Sequence, residues 1–586
     1  MLDFVANGKS QAIIDEKDLN MLAKLTRLVI MGGVLSLGVT GCGTTTGGKA
    51  TTTGSTSLSA AKGAFSTNNS ASPLGMNTNE ILESDASMPF IDLMRAAMPF
   101  QEASPWLTKG NVVYDTNGWP ANLNGGQAGT RFLSNLPAAV IPEGTYTVLY
   151  DGEGEIQYLN DATLLERKPG YDSITLAAGD DGILNASLLI TRSNPQNYVR
   201  NIRILPPGGI CASNPFQRVA SAAACGDFKS FVEHSGSIIF NPDFMAFMKD
   251  FRSIRFMNMS GVTRSDERAW SDRNQLSKAT WGGKEATRGA PLEIQVELAN
   301  RLNADPWFTL PHEADDNYVR EFASYVKQHL NSNLKPHIEY SNEAWNTIFT
   351  QANYMIDKGM RLGLDSNAQR AGHRYYSQRS VEIFKIWESV YGGSERLVRI
   401  LAGWTVNDKL TETVLSHQDA YKHADAFAIG PYVFGGHAEI RNVRTVDEAF
   451  DLINNPIYRH SLDKEMGYVR MQKAIADKYG LRLVAYEAGQ GLADFKTKSD
   501  DEFPNPVLFA ANRDPRMRGV YDRLLNAWKA EGGTLFMHYT APRTFTKHGP
   551  WGTKEYITQP TSQAPKYQAL LDFIRSTPCW WDGCKR

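Results

Sequence analysis

From about residue 196 to the end, short apolar stretches alternate with longer amphipathic ones, and this alternation limits the fold more than any other feature. Eight strand candidates stand out, at 198–205, 253–259, 307–312, 337–341, 397–403, 426–432, 483–487 and 534–539. Helical periodicity fills the gaps, clearest at 242–251, 292–302, 317–330 and 520–529. Strands that alternate with helices predict a parallel sheet with helices packed outside it. Eight such units over 196–586 predict an α/β fold, a TIM (β/α)8 barrel with insertions. The other arrangement is an open doubly wound sheet, but no Gly-rich phosphate turn follows the first strand candidate.

The region before the barrel has a different texture. Residues 76–195 carry short strand-like runs at 145–150, 155–159, 172–177 and 183–191, punctuated by DGEG and GDDG turns. That pattern predicts a small all-β sandwich preceding the barrel. It is either a structural companion of the barrel or a carbohydrate binder using aromatics such as Trp119. Residues 43–75 are Gly, Thr, Ser, Ala and Asn with almost no large apolar side chain, which predicts a flexible tether. Residues 1–42 form a signal region. Lys24 and Arg27 precede an apolar run, 28–39, that is too short to span a bilayer comfortably. Val39-Thr40-Gly41-Cys42 then resembles the bacterial lipoprotein box, which implies that Cys42 becomes the lipidated first residue. Met21 stands where a start codon is expected, which makes 1–20 an upstream extension. Gly43 after the cysteine implies sorting to the outer membrane, facing the periplasm or the cell surface.

With Cys42 assigned to lipid, four cysteines remain in two close pairs, Cys211 with Cys225 and Cys579 with Cys584. In an exported chain such pairs oxidise to disulfides. Metal binding is the rival, but no His cluster accompanies them. The formal net charge of −2 gives no reason to expect a nucleic-acid partner. Twelve Trp lean modestly towards flat, stackable ligands such as sugars.

A barrel keeps its chemistry at the C-terminal ends of its strands. Those ends collect polar and aromatic residues: Arg255 and Asn258, His312, Asn342-Glu343, Trp404, Tyr432, Glu487, and His538-Tyr539. The fourth strand runs into Ser341-Asn342-Glu343-Ala344-Trp345. A carboxyl can protonate a glycosidic oxygen, Asn342 can hydrogen-bond a hydroxyl, and Trp345 can stack on a sugar face. An Asn-Glu pair also caps helices, so the second carboxylate, Glu487 at the end of strand seven, is what favours sugar chemistry. His312 with Asp315 and Asp316 could suggest a metal, but the Asp pair precedes a helix and serves as its N-terminal charge or cap. No metal or other cofactor is expected. Glu339, inside strand four, reads as a buried structural carboxylate. Trp270, Asp272 and Arg273 form either a glycan wall or an Asp-Arg clamp on their loop. Trp345 and Trp404 are sugar platforms or core aromatics.

Asn-Glu ending strand four and Glu ending strand seven resemble the clan A glycoside hydrolases, retaining (β/α)8 enzymes. The resemblance implies that Glu343 is the acid/base and Glu487 the nucleophile. It implies a sugar-hydroxyl contact for Asn342, and contacts to the nucleophile for Arg255 and Tyr432. RFMN, WSDR, HEADD and YSNEAWN also resemble a group of secreted bacterial proteins labelled cellulose-binding, from about residue 100 to the end. Two departures stand out. Ala344 takes the place of a frequent Pro, and strand eight ends in His538-Tyr539 rather than Trp, with Trp551 in the next loop as the substitute. His312, His538, Tyr539 and Trp551 complete the expected substrate contacts. The expectation is an exported, lipid-anchored, endo-acting retaining β-glycosidase for a β-linked polysaccharide, such as a cellulose-like glucan or an exopolysaccharide. The alternative is a non-catalytic carbohydrate-binding or polysaccharide-export lipoprotein.

Overall fold

In the computed structural model, residues 67, 69–103, 106–108 and 110–585 are described. The signal region with Cys42 lies outside them, as does most of the expected tether. Eight parallel strands close into a barrel: β1 (Leu74–Asn77), β2 (Ser253–Arg255), β3 (Asp305–Leu310), β4 (His337–Tyr340), β5 (Val398–Ala402), β6 (Ala426–Ile429), β7 (Arg482–Gln490) and β8 (Phe536–His538). Each pairs with its neighbour in chain order, and β1 closes the ring by pairing with both β2 and β8. A two-residue strand, Tyr432–Val433, extends β7 at the mouth by pairing with Gly489 and Gln490.

One strand differs from the sequence reading. Residues 198–205 do not enter the barrel; Arg200–Leu205 pairs antiparallel with Gly144–Asp151. The first stave is Leu74–Asn77, at the junction of the expected tether and sandwich. It follows a turn, Asn69–Ala71, in which the fully buried Asn69 side chain donates to the carbonyls of Phe251 and Leu302. Barrel strand order, not strand propensity, decides the difference. Arg200–Leu205 is a strand by composition, but its ladder partner is an antiparallel strand outside the barrel.

The β-rich residues thus lie between β1 and β2 in sequence. They form a four-stranded antiparallel sheet, a five-stranded one and two smaller sheets. Tyr146, Val148, Leu188, Ile190 and Ile204 are fully buried there. The Tyr158 hydroxyl of the five-stranded sheet donates to Asp172 of the four-stranded one at 2.8 Å. Trp119 is buried against Phe100, with ring centroids 5.6 Å apart, and so is a core aromatic rather than a glycan platform.

Helix boundaries follow local chemistry. Asp315 caps Asp316–His329 by accepting from the Tyr318 amide at 2.7 Å, as its position before the helix implied, and Asp316 pairs with Arg379. Asn367 caps the long helix Ala368–Tyr391, which Gly392 ends at a φ of 82°. The lower core of the barrel is Trp307, Val398, Ile400, Ala426, Val484, Leu535 and Met537, and Trp581 packs against it. Trp581 sits within the Cys579–Cys584 loop. Both expected disulfides are present, Cys211–Cys225 and Cys579–Cys584. Arg252, just ahead of β2, donates to Ser70, Gly583 and Cys584 carbonyls and thereby ties both ends of the described chain to the base of the barrel.

Candidate active site

The site is built in layers above that apolar core. Its base is Arg255, the last residue of β2, with no exposed surface. The guanidinium grips Glu339 of β4 in a two-pronged pair, both bonds 3.0 Å. Its other N–H groups reach Glu487 at 3.2 Å, Asn77 at 3.2 Å and Asn342 at 3.1 Å. Glu339 also accepts from the Trp307 indole at 2.9 Å and the Thr309 hydroxyl at 3.0 Å. A carboxylate with four donors is fully occupied, so Glu339 orients Arg255 and takes no part in bond making. Burial works against the Arg255 charge, but Glu339 and Glu487 outweigh it and hold the guanidinium above its ordinary range.

Glu487 ends the inward-facing part of β7. Strict alternation would turn away a neighbour of the inward Tyr486, but the register with β8 shifts between Ala485 and Ala488. Such an irregularity re-aims side chains beside functional sites. Tyr486 packs under the Arg255 guanidinium, 5.1 Å from its ring centre, while Glu487 bonds it. The Tyr432 hydroxyl lies near enough to Glu487 to favour its charged form. Glu487 is buried, and burial followed by the charge of Glu343 raises its carboxyl to about 7.

Glu343 stands above the end of β4 on a turn in which Ser341 has a φ of 62° and Glu343 itself 41°. Left-handed backbone at two non-glycine residues costs about 1–3 kcal/mol each and collects at functional sites. Glu343 is half-buried, and burial raises its pKa. Its one side-chain donor is the Asn346 amide at 2.8 Å. The two carboxyls sense each other's charge, so they titrate as a pair. A cation and a phenol serve Glu487, whereas a neutral amide serves Glu343. The single-proton form therefore carries its anion on Glu487 and its proton on Glu343.

The remaining expected contacts divide. Asn342 is buried beside the pair, its side-chain oxygen on Arg255 and its carbonyl on Gln351. Trp551 meets Tyr432 and Tyr539 edge-on, ring centroids 5.6 and 5.8 Å away. Tyr539 accepts from Asn258 at 3.2 Å. Trp345 and Trp404 form a parallel, half-buried pair, 5.4 Å apart and 6° from coplanar. His312 is buried edge-on to Tyr354, 5.1 Å away, and burial lowers its pKa to about 4, so its ring is neutral. His538 does not face the site. Met537 points into the barrel, so His538 points out. It is fully buried with its ring 5.4 Å from that of Tyr521. Asp272 and Arg273 do not clamp each other: Asp272 accepts from the Arg268 and Ala269 amides, and Arg273 pairs with Glu293 beneath the Trp270 ring. Glu339 is the buried structural carboxylate expected from the sequence, and Asn77 is the polar group at the base that the sequence did not disclose. Asn77 bonds Arg255 and donates to the Tyr486 and His538 carbonyls.

No known protein family matches the chain, and no curated protein matches it. Among solved structures it is similar to a 4-O-α-L-rhamnosyl-β-D-glucuronidase from Fusarium oxysporum 12S, at 12% identity over 55% of this chain, with a TM-score of 0.35. The match spans 61% of that protein. It is also similar to GH10 from Paenibacillus barcinonensis, at 13% identity over 58% of this chain and 92% of that one, with a TM-score of 0.32. A third is a Bacteroidetes-affiliated GH5 cellulase linked with a polysaccharide utilization locus, at 11% identity over 57% and 84% of the two chains, with a TM-score of 0.36. These structural neighbours are glycoside hydrolases.

Proposed function

We propose that the chain is an exported, lipid-anchored retaining β-glycosidase that cuts within a β-linked polysaccharide. The observation that carries this reading is the unequal support of two neighbouring carboxyls: Arg255 and Tyr432 on Glu487, a single neutral amide on Glu343. In the first step a Glu487 oxygen attacks the anomeric carbon. The glycosidic C–O bond breaks, its electron pair stays on the leaving oxygen, and that oxygen takes the Glu343 proton. In the second step the Glu343 carboxylate removes a proton from water. The water oxygen attacks the anomeric carbon and Glu487 leaves as carboxylate. Asn342, with its oxygen held by Arg255, turns its N–H groups to a sugar hydroxyl. Trp551 and the parallel Trp345–Trp404 pair supply flat faces along the chain, which suits internal cleavage.

The test is a reducing-end release screen on β-glucans, xylan and mannan, followed by NMR of the first anomer formed. Retention of the β-configuration is expected. Inversion would contradict the reading, since it needs carboxyls about 6.5–9.5 Å apart instead of about 5–5.5 Å. Glycan binding with no release from any polymer would favour a non-catalytic binding protein instead.

A further inference from the structure

Behind the aromatic side of the site lies a buried amine that the two-step reaction does not use. Lys566, on the helix Pro565–Ser576, is 1% exposed. Its Nζ donates to Asn512 Oδ1 at 2.9 Å and to the Pro550 carbonyl at 2.7 Å, both neutral groups. Burial pushes this ammonium well below the ordinary lysine range. The same carbonyl accepts from Gln490 Nε2 at 3.0 Å. Gln490 is the last residue of β7, on the strand that carries Glu487. Asn512 Nδ2 reaches Gln490 Oε1 at 3.5 Å, and Gln490 and Asn512 are each 1% exposed.

The buried side chains of Gln490 on β7 and Lys566 thus meet at one backbone carbonyl, with Asn512 bonded to both, and the next residue is Trp551. The Trp551 indole donates to the His548 carbonyl at 2.6 Å, which fixes the ring within its own loop. Burying an amine is costly, and a surface loop can satisfy a carbonyl with water at little cost. The expense is accounted for if the loop must stay in register with β7. We infer that Lys566 is a positioning residue: with Gln490 and Asn512 it latches the loop at Pro550 to β7 and so fixes Trp551 relative to Glu487. Its kinetic consequence rests on the glycosidase reading, whereas the latch itself does not.

Lys566→Met keeps the aliphatic stem and removes the donor. Without any glycan, hydrogen exchange of the 546–552 amides should quicken about 10-fold while the barrel strands stay unchanged. For turnover, the probe is whichever of cellohexaose, xylohexaose and mannohexaose the wild type cleaves. KM should rise about 10-fold with kcat held within about 2-fold; in a Trp551→Ala background the same substitution should change KM by less than about 2-fold. Gln490→Met removes the other donor to the same carbonyl and should reproduce the pattern, so it carries the test if Lys566→Met does not fold. An unchanged loop, faster exchange spread over the whole barrel, or an equal rise in KM in both backgrounds would overturn the inference. If the wild type cleaves none of the probes, the glycosidase reading fails while the exchange measurement still decides the latch.

Discussion

Glu487→Gln should abolish turnover and, above neutral pH, make the protein more stable. Glu487 is 9% exposed, and burial together with the Glu343 charge raises its carboxyl from 4.5 to about 7. Glu487 and Glu343 titrate as a pair, so between those values the folded pair holds a proton, carried by Glu343, that the unfolded chain has released. The native state then binds more protons, so stability falls as pH rises. The contribution is complete below about pH 4.5 and is lost as pH passes through about 7. At about 1.4 kcal/mol per pH unit, the loss is about 3 kcal/mol, against a total stability of about 5–15 kcal/mol for a typical domain. Glutamine offers Arg255 and Tyr432 an acceptor oxygen but never ionises. The variant should therefore match the wild type or fall slightly below it near pH 4, and exceed it by about 3 kcal/mol near pH 8. Urea denaturation across that range measures the difference directly. A difference that is flat with pH, or a stabilisation largest in acid, would refute the reasoning.

Glu343→Gln should lower turnover on unactivated glycans by about 10²–10⁴-fold while sparing the first step on activated aryl glycosides, which rapid-mixing kinetics would separate. Arg255→Met leaves Glu339 and Glu487 buried without their cation and should cost about 3–5 kcal/mol in denaturant. Adding Glu339→Leu should recover part of that loss, and strictly additive effects would show that the pair is not coupled. Cys42→Ser should release folded protein from the membrane fraction, and a wild-type chain found unlipidated by mass spectrometry would remove the proposed anchor.

The barrel was legible because seven of its strands are apolar runs flanked by amphipathic helices, and their polar ends could be read in order. The helix 292–302 was located to the residue, as Leu292–Leu302. The first stave was not legible. Leu74–Asn77 is four residues long and follows a polar tract, and its partners lie far along the chain at Ser253–Arg255 and Phe536–His538. Arg200–Leu205 imitated it because strand propensity does not specify which sheet a strand joins. The base of the site was half legible. Arg255 and Glu339 could be picked out as an end residue and an interior carboxylate, but their bond joins residues 84 apart and only the closed ring brings them together. His538 was misread because a strand of three residues, Phe536–His538, gives too little pattern to tell its inward face from its outward one.

Closure between Leu74 and Phe536 has a consequence for how the molecule is made. The earliest stave to leave the ribosome has partners on both sides, and one of them is the last stave of the ring to be made. Until β8 emerges, β1 has an unsatisfied edge and the ring cannot lock, whatever the β-rich insertion has already done. Long-range pairing of this kind pays its loop-closure entropy before any contact rewards it, which makes folding slow. Under the proposed export, slowness would be useful: a ring that cannot shut before its last stave arrives stays loose enough to be threaded through a membrane. The Arg252 ties to Ser70 and Gly583 then come late, as a clasp fastened once the ring has shut.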